Sequence, residues 1–324
     1  MDSIAPIFVT SSFGFLLTYF AIPRITKALK RRGMVHVDLH KVEHSWIPGA
    51  GGWVIMLAYI LSVSISLPFL SPAQEVWRYG YFLITIALIG MVGAFDEVRS
   101  LRHRYKVLLL ALLAYPMVMV VNNTAVTFPY VGDLEFGWLY LIVLIPVGVT
   151  AASNLTNMLA GFNGLEAGIG SIACLTISAI AILKGRYDAA VVALPLAMVL
   201  LAFLWYNWYP AKIFPGDSGT LLIGTVIASA SILSKMEFVC AVLLAPHIID
   251  FILKFAVKKP FSGRQIYGDT KARKDGVLVP PPYPALAHLF LMTEPLNEEQ
   301  LVKRMLLLEV AFAALAFALA ILMY

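Results

Sequence analysis

Apolar residues in this chain are gathered into long runs separated by short polar connections, and that alternation is its dominant pattern. Runs approaching the roughly 17 to 25 residues that cross a bilayer lie at about 4–23, 46–69, 79–95, 107–122, 137–153, 165–184, 188–206, 217–234, 237–256 and 302–323. They predict an all-α membrane protein of about ten transmembrane helices in one polytopic domain, 1–324, with the polar stretch 257–300 as a loop within it. The turns at 184–188 and 235–237 are tight. In 122–137, Val126, Phe128 and Tyr130 alternate before a Val-Gly-Asp turn, which predicts a small hairpin.

Composition supports this reading. The chain is 60% hydrophobic and 13% charged, with mean hydropathy +0.83, more apolar surface than a soluble domain of this length can hide. Cys174 and Cys240 both lie inside apolar runs and suggest neither a disulfide framework nor a metal cluster. His36, His40, His44 and His103 lack ligand spacing with cysteine, so zinc is not expected. The first residues lack a basic region, so the first run reads as a retained span. Of the 24 Lys and Arg residues, all but Arg78, Lys184, Arg186 and Lys235 fall on one side of the ten-span topology. The positive-inside bias then puts both termini outside and the basic loops in the cytoplasm. An integral membrane protein is expected, in the plasma membrane if the source is prokaryotic.

Candidate chemistry gathers on the basic side. The stretch 154–168 holds Asn154, Asn157, Asn163, Glu166 and three glycines, which is more polar chemistry than a connection between spans requires. Carboxylates are costly near hydrocarbon. Even so, Asp96 and Glu97 end the third run, Glu166 opens the sixth, Asp217 opens the eighth and Asp250 lies in the ninth. Such hard oxygen donors suit Mg²⁺ held with substrate phosphates, and the Gly-flanked helix start at Asp217 suits an anion. Plainer readings stand beside these: Asp217 as a helix cap, Asp96-Glu97 paired with Arg99 and Arg102, and Lys41 as part of a positive-inside anchor.

Taken in order, these motifs resemble the polyprenyl-phosphate N-acetylhexosamine-1-phosphate transferases, over nearly the whole chain. The run from Asn157 through Asn163 and Glu166 to Gly168 is close to the eukaryotic dolichyl-phosphate branch. Phe214-Pro-Gly-Asp217, the basic segment 101–106 and Leu39-His40-Lys41 before Ile47-Pro48 also match. The resemblance implies transfer of GlcNAc-1-phosphate from UDP-GlcNAc to a dolichyl-type polyprenyl phosphate, releasing UMP, as the first step of lipid-linked glycan assembly. It implies Mg²⁺, with Mn²⁺ as an alternative, on Asp217 and Asn157. Asp96 would lie at the acceptor, Lys106 and Lys41 at phosphates, and Leu39, Asn163, Glu166 and Phe214 in or beside the nucleotide pocket.

Two features depart from the family pattern. Glu97 stands where a second aspartate is usual, which leaves its catalytic role open. The last loop lacks the usual histidine, so Arg264, with Arg273 second, is expected to contact pyrophosphate or sugar. Another UDP-sugar or an undecaprenyl acceptor is the alternative within the family, and a nucleotide-sugar or lipid transporter the rival outside it. Direct attack and a covalent intermediate both remain open. Nothing points to nucleic acid, and a homodimer is compatible with the sequence.

Overall fold

A computed structural model describes residues 5–41, 45–70, 76–121, 123–257 and 270–323. The chain opens with α1 (Ala5–Arg31), β1 (Val35–Val37), β2 (Trp46–Pro48), α2 (Gly52–Leu70), α3 (Val76–Val98) and α4 (His103–Leu113). A hairpin, β3 (Ala125–Phe128) and β4 (Gly132–Glu135), precedes α5 (Ile145–Leu159), α6 (Leu165–Leu183), α7 (Tyr187–Asn207) and α8 (Gly216–Ser234). Then come α9 (Glu237–Leu243), α10 (Ala245–Val257), β5 (Lys271–Ala272), β6 (Leu278–Val279), α11 (Leu286–Thr293) and α12 (Glu298–Met323). Among the described residues nine helices are long and apolar enough to cross a membrane, and α9 with α10 makes a tenth if the bent pair is one span.

Prolines account for the irregular spans. Pro116 ends regular α4, and the fourth span finishes as a tighter 3₁₀ turn, Tyr115–Val120. The ninth apolar run is not the single helix its length predicts. It bends by 60° between α9 and α10, where Pro246 in the first turn of α10 lacks an N–H and crowds the preceding turn. The first helix runs on to Arg31, well past the end of its apolar stretch, with its basic residues on the projecting turns. The expected hairpin forms, pairing Ala125 with Glu135 and Phe128 with Gly132. The polar stretch after α10 is more than a loop: it contains the β5–β6 pair and α11, and α12 already begins at Glu298.

The bundle is organised around α7 and α8. Their most apolar windows are 72% and 83% buried, against 33% for α1 and 28% for α12, which leaves the latter two on the lipid-facing rim. Small residues let neighbours meet α8 at backbone distance. A Cβ on Gly93 of α3 would sit 2.6 Å from the Asp217 carbonyl, and one on Gly52 of α2 would strike the Gly219 amide. Gly224 similarly meets the Ala152 carbonyl of α5. The turn before α8 is stitched to the start of α2 by Phe214 N to Pro48 O (2.9 Å), Gly51 N to Phe214 O (2.9 Å) and Gly52 N to Pro215 O (2.7 Å). Asp217 is therefore placed by main-chain contacts with three other elements.

This packing separates two glycines of the same helix. Gly93→Ala should force α3 from α8 and cost about 1–3 kcal/mol, seen as a lower thermal midpoint in detergent. Gly80→Ala, with open space around it, should leave the midpoint unchanged or slightly higher.

Candidate active site

At one end of the bundle α3, α4, α5 and α8 bring four polar side chains together. Lys106, near the start of α4, is 5% exposed. Its Nζ donates to Asp96 Oδ2 and to Asp217 Oδ2, at 2.7 Å each. The other Asp96 oxygen accepts the Leu101 amide at 2.6 Å, which folds the α3–α4 turn back onto its own helix end. Asn157, in the last turn of α5, completes the group. With its amide turned to satisfy both ends, its oxygen accepts from Lys106 Nζ (2.9 Å) and its nitrogen donates to Asp217 Oδ1 (3.2 Å) and Thr220 Oγ1 (2.8 Å). Turned the other way, its oxygen would face an Asp217 oxygen, an acceptor pair that a cation resolves.

Glu97 points elsewhere. Its Oε1 accepts from the Ser218 amide (2.9 Å) and hydroxyl (2.7 Å), so a side chain of α3 caps the first turn of α8. Asp217 is thus not the cap, and both its oxygens stay with the polar cluster. Gly216 makes the turn at φ +65°, and a Cβ there would collide with the Glu97 carboxylate. Only glycine serves at that position.

Two cavities open on the cluster. One, of about 310 Å³, is lined by Leu39, Asn157, Gly161, Glu166, Phe214 and Asp217. The other, of about 480 Å³, is lined by Gly49, Asp96, Glu97, Leu101, Phe214 and Asp217. His36, Phe214, Gly216 and Asp217 border both. The Asp217 side chain, 35% exposed, therefore stands on the shared wall. Asp96, Glu97, Lys106, Asn157 and Asp217 come together here, with Leu39, Glu166 and Phe214 beside them.

The other sequence candidates lie differently. Asn163 is 2% exposed and belongs to a buried hub. Its amide N–H donates to Glu298 Oε1 (2.7 Å) and its side-chain nitrogen to Asp38 Oδ2 (3.1 Å). Lys41 pairs with Asp38 at 2.6 Å and lies over the Tyr209 ring. Asn154 does not share the Asn157 cluster, because its side chain donates to Thr150 O of its own helix (2.8 Å). Arg273 is not brought to the site: it pairs with Asp275 at 3.3 Å on the exposed hairpin of β5 and β6. Arg264 lies outside the described residues.

Sequence reasoning missed Asp38, Glu298 and His36. Asp38 immediately precedes the Leu39-His40-Lys41 motif in the first loop. Glu298 stands in the Asn-Glu-Glu-Gln-Leu start of the last helix, which resembles the eukaryotic-type branch, but its partners are remote in sequence and gave it no role. His40 lies against Phe162, ring centroids 4.5 Å apart, and burial pushes its pKa below the usual histidine value, against the opposing pull of Asp38.

A region matching glycosyl transferase family 4 covers residues 79–235. A protein of Sulfolobus acidocaldarius, named as a UDP-N-acetylglucosamine–dolichyl-phosphate N-acetylglucosaminephosphotransferase, is 32% identical over 267 residues, 81% of this chain and 80% of its own. A glycosyltransferase of Methanocaldococcus jannaschii is 34% identical over 266 residues, 82% and 81% of the two chains. A phospho-N-acetylmuramoyl-pentapeptide-transferase of Chlorobium phaeobacteroides is 28% identical over 298 residues, 78% and 79% of the two. The molecule is an integral membrane enzyme of the glycosyl-1-phosphate transferase class. The chain belongs to glycosyl transferase family 4.

The buried ion network generates a stability test. Lys106→Met should leave Asp96 and Asp217 facing each other and cost on the order of 2–3 kcal/mol, toward the low end for a broken buried pair because Asp217 is partly exposed. Lys106→Met with Asp217→Asn should lose less than the sum of the two single changes, measured as thermal midpoints in a double-mutant cycle.

Proposed function

We propose that this enzyme transfers GlcNAc-1-phosphate from UDP-GlcNAc to a dolichyl-type polyprenyl phosphate and releases UMP. The observation that carries the reading is the position of Asp217 on the wall between two cavities that share it. The cavity bordered by Leu39, Glu166 and Phe214 suits the nucleotide donor, and the one bordered by Asp96 and Leu101 suits the acceptor phosphate. The names of the archaeal relatives support the donor and the carrier, and the basic residues beside the cluster support a cytoplasmic active site with both termini outside.

In this reaction an acceptor phosphate oxygen forms a bond to the sugar-bearing phosphorus. The bond from that phosphorus to the bridging oxygen breaks, and UMP leaves with the oxygen. The acceptor oxygen is already anionic at pH 7, so proton removal is not the obstacle. The obstacle is bringing anions together in line. Lys106 supplies a fixed positive charge between the cavities, and Asp96 and Asp217 hold it there without rotamer search. Glu97 keeps the first turn of α8 rigid, so Asp217 meets its ligand without reorganisation.

Asp217 and Asn157 are the groups that would hold Mg²⁺, with Mn²⁺ as a substitute. One carboxylate, an amide oxygen, waters and substrate phosphates make a normal magnesium shell. The ion, when bound, neutralises pyrophosphate charge and eases departure of UMP.

Purified protein with UDP-GlcNAc, dolichyl phosphate and Mg²⁺ should release UMP, and chelation should abolish it. Asp217→Ala should lower kcat on the order of a thousandfold. Undecaprenyl phosphate and UDP-MurNAc-pentapeptide run in parallel test the peptidoglycan-type alternative. Release with that pair alone would overturn the assignment of donor and carrier, and release from no pair by folded protein would overturn the transferase reading of this site.

A further inference from the structure

A second group of ligating side chains lies beside the first cavity and takes no part in the chemistry above. Asp38 and His40 come from the connection after α1, and Glu298 opens α12. Each offers one donor atom, the three lie within 4.8 Å of one another, and all three residues are buried.

The partners of these groups are incomplete in a particular way. Glu298 is 2% exposed. Its Oε1 accepts the Asn163 amide at 2.7 Å, while its buried Oε2 has no hydrogen-bond partner among the described residues. A bare carboxylate oxygen out of water is costly, more so than a neutral group. Asp38 Oδ2 is taken by Lys41 and Asn163, but among the described residues Oδ1 meets only the His40 amide, at a long 3.3 Å. The His40 ring is held in one plane by its stack on Phe162, 23° from parallel.

Carboxyl groups also crowd this point. Asp38, Glu298 and Glu166 converge on the loop that carries Gly161 and Asn163, Glu166 through the Gly161 amide at 2.5 Å. Among the described residues the one ion pair on these three carboxylates is Lys41–Asp38. The orphaned Glu298 oxygen, beside the Asp38 and His40 donors, calls for a cation, and Asp38 and His40 line the 310 Å³ cavity through which one could enter.

We propose that Asp38, His40 and Glu298 bind a divalent cation separate from the one at Asp217, which clamps the start of the last helix to the loops bearing Leu39 and Asn163. Two carboxylate oxygens with one imidazole nitrogen form a borderline donor set. It suits Mn²⁺ or Zn²⁺ better than Mg²⁺, which favours oxygen alone. The role is structural: two segments distant in sequence share one ion, the Asn163 loop is hydrogen-bonded to both of its carboxylates, and the nucleotide-side loops are held together before any substrate arrives.

Mn²⁺ is the probe, titrated without nucleotide into detergent-purified wild type, Asp217→Ala, Glu298→Gln and His40→Gln and followed by electron paramagnetic resonance. Wild type and Asp217→Ala should each bind one tight ion showing ¹⁴N coupling from an imidazole. Glu298→Gln should weaken it at least about tenfold, and His40→Gln should remove the nitrogen coupling. The second variant decides the matter if the first fails to fold. Absence of tight binding in Asp217→Ala, binding without nitrogen coupling, or coupling that survives in His40→Gln would each overturn the site. None of these readouts uses transferase activity, so failure of the donor and acceptor assignment would not imitate failure here.

Discussion

Everything at the active end depends on one ammonium group held between two carboxylates. Lys106 is buried, so its charge depends on Asp96 and Asp217 both being in place. The two aspartates need it equally, since side by side without it they would repel. Because the three groups come from α3, α4 and α8, the arrangement makes three helix ends a single electrostatic unit. Asn157 extends it to α5, its amide bridging Lys106 and Asp217 in one orientation and turning its oxygen toward Asp217 in the other. A site of this kind is geometrically stiff, as charged groups out of water cannot drift apart cheaply.

The surrounding chain removes the remaining freedom. Gly93 and Gly52 allow the ends of α3 and α2 to touch the α8 backbone, and Glu97 takes the Ser218 amide that would otherwise be an orphan donor. Asp96 and Glu97 are neighbours with different duties: one faces the ammonium and the cavity, the other holds the helix that carries Asp217. Position on the helix decides this. Adjacent residues on a helix diverge by about 100°, so one of the pair turns to the α4 side and the other to α8. An aspartate at 97 would have one methylene less with which to reach the Ser218 amide, which gives glutamate a reason here.

Much of this was legible in the chain, and the parts that were not share a cause. Apolar run length marked the spans, because a helix in lipid must satisfy its own backbone and so needs a continuous apolar stretch. The carboxylates at run ends marked the polar cluster, because only a strong partner or a ligand keeps a charge there. The bend at Leu244 was missed since run length ignores Pro246. Asn163 was read as a cavity group, whereas the fold buries it against Asp38 and Glu298. Arg273 followed from family position alone, and its own neighbour Asp275 claims it. The role of Glu298 was invisible because it comes from residues near the other end of the chain, a relation that local pattern does not encode.

The distribution of polar groups along the spans separates an enzyme from a conduit. A pathway through the membrane needs polar side chains that face a shared lumen at successive depths. In this bundle many of the hydroxyls within the spans turn back on their own helices, and others, such as Ser62 to the Thr10 carbonyl, tie one helix to the next. Thr18 donates to the Gly14 carbonyl, Ser171 to Ala167, Ser178 to Cys174 and Ser231 to Ile227. Ser153 and Thr225 do the same while also meeting each other across α5 and α8, which serves helix packing rather than solvent. Apart from Glu309, which is buried within α12, most ionisable side chains of the spans lie at helix ends, and at one of those ends two cavities meet at Asp217. The two cavities and the Lys106 cluster lie at one end of the bundle, and a site placed there lets a lipid-borne phosphate and a water-borne nucleotide meet without opening a route between the two sides of the membrane.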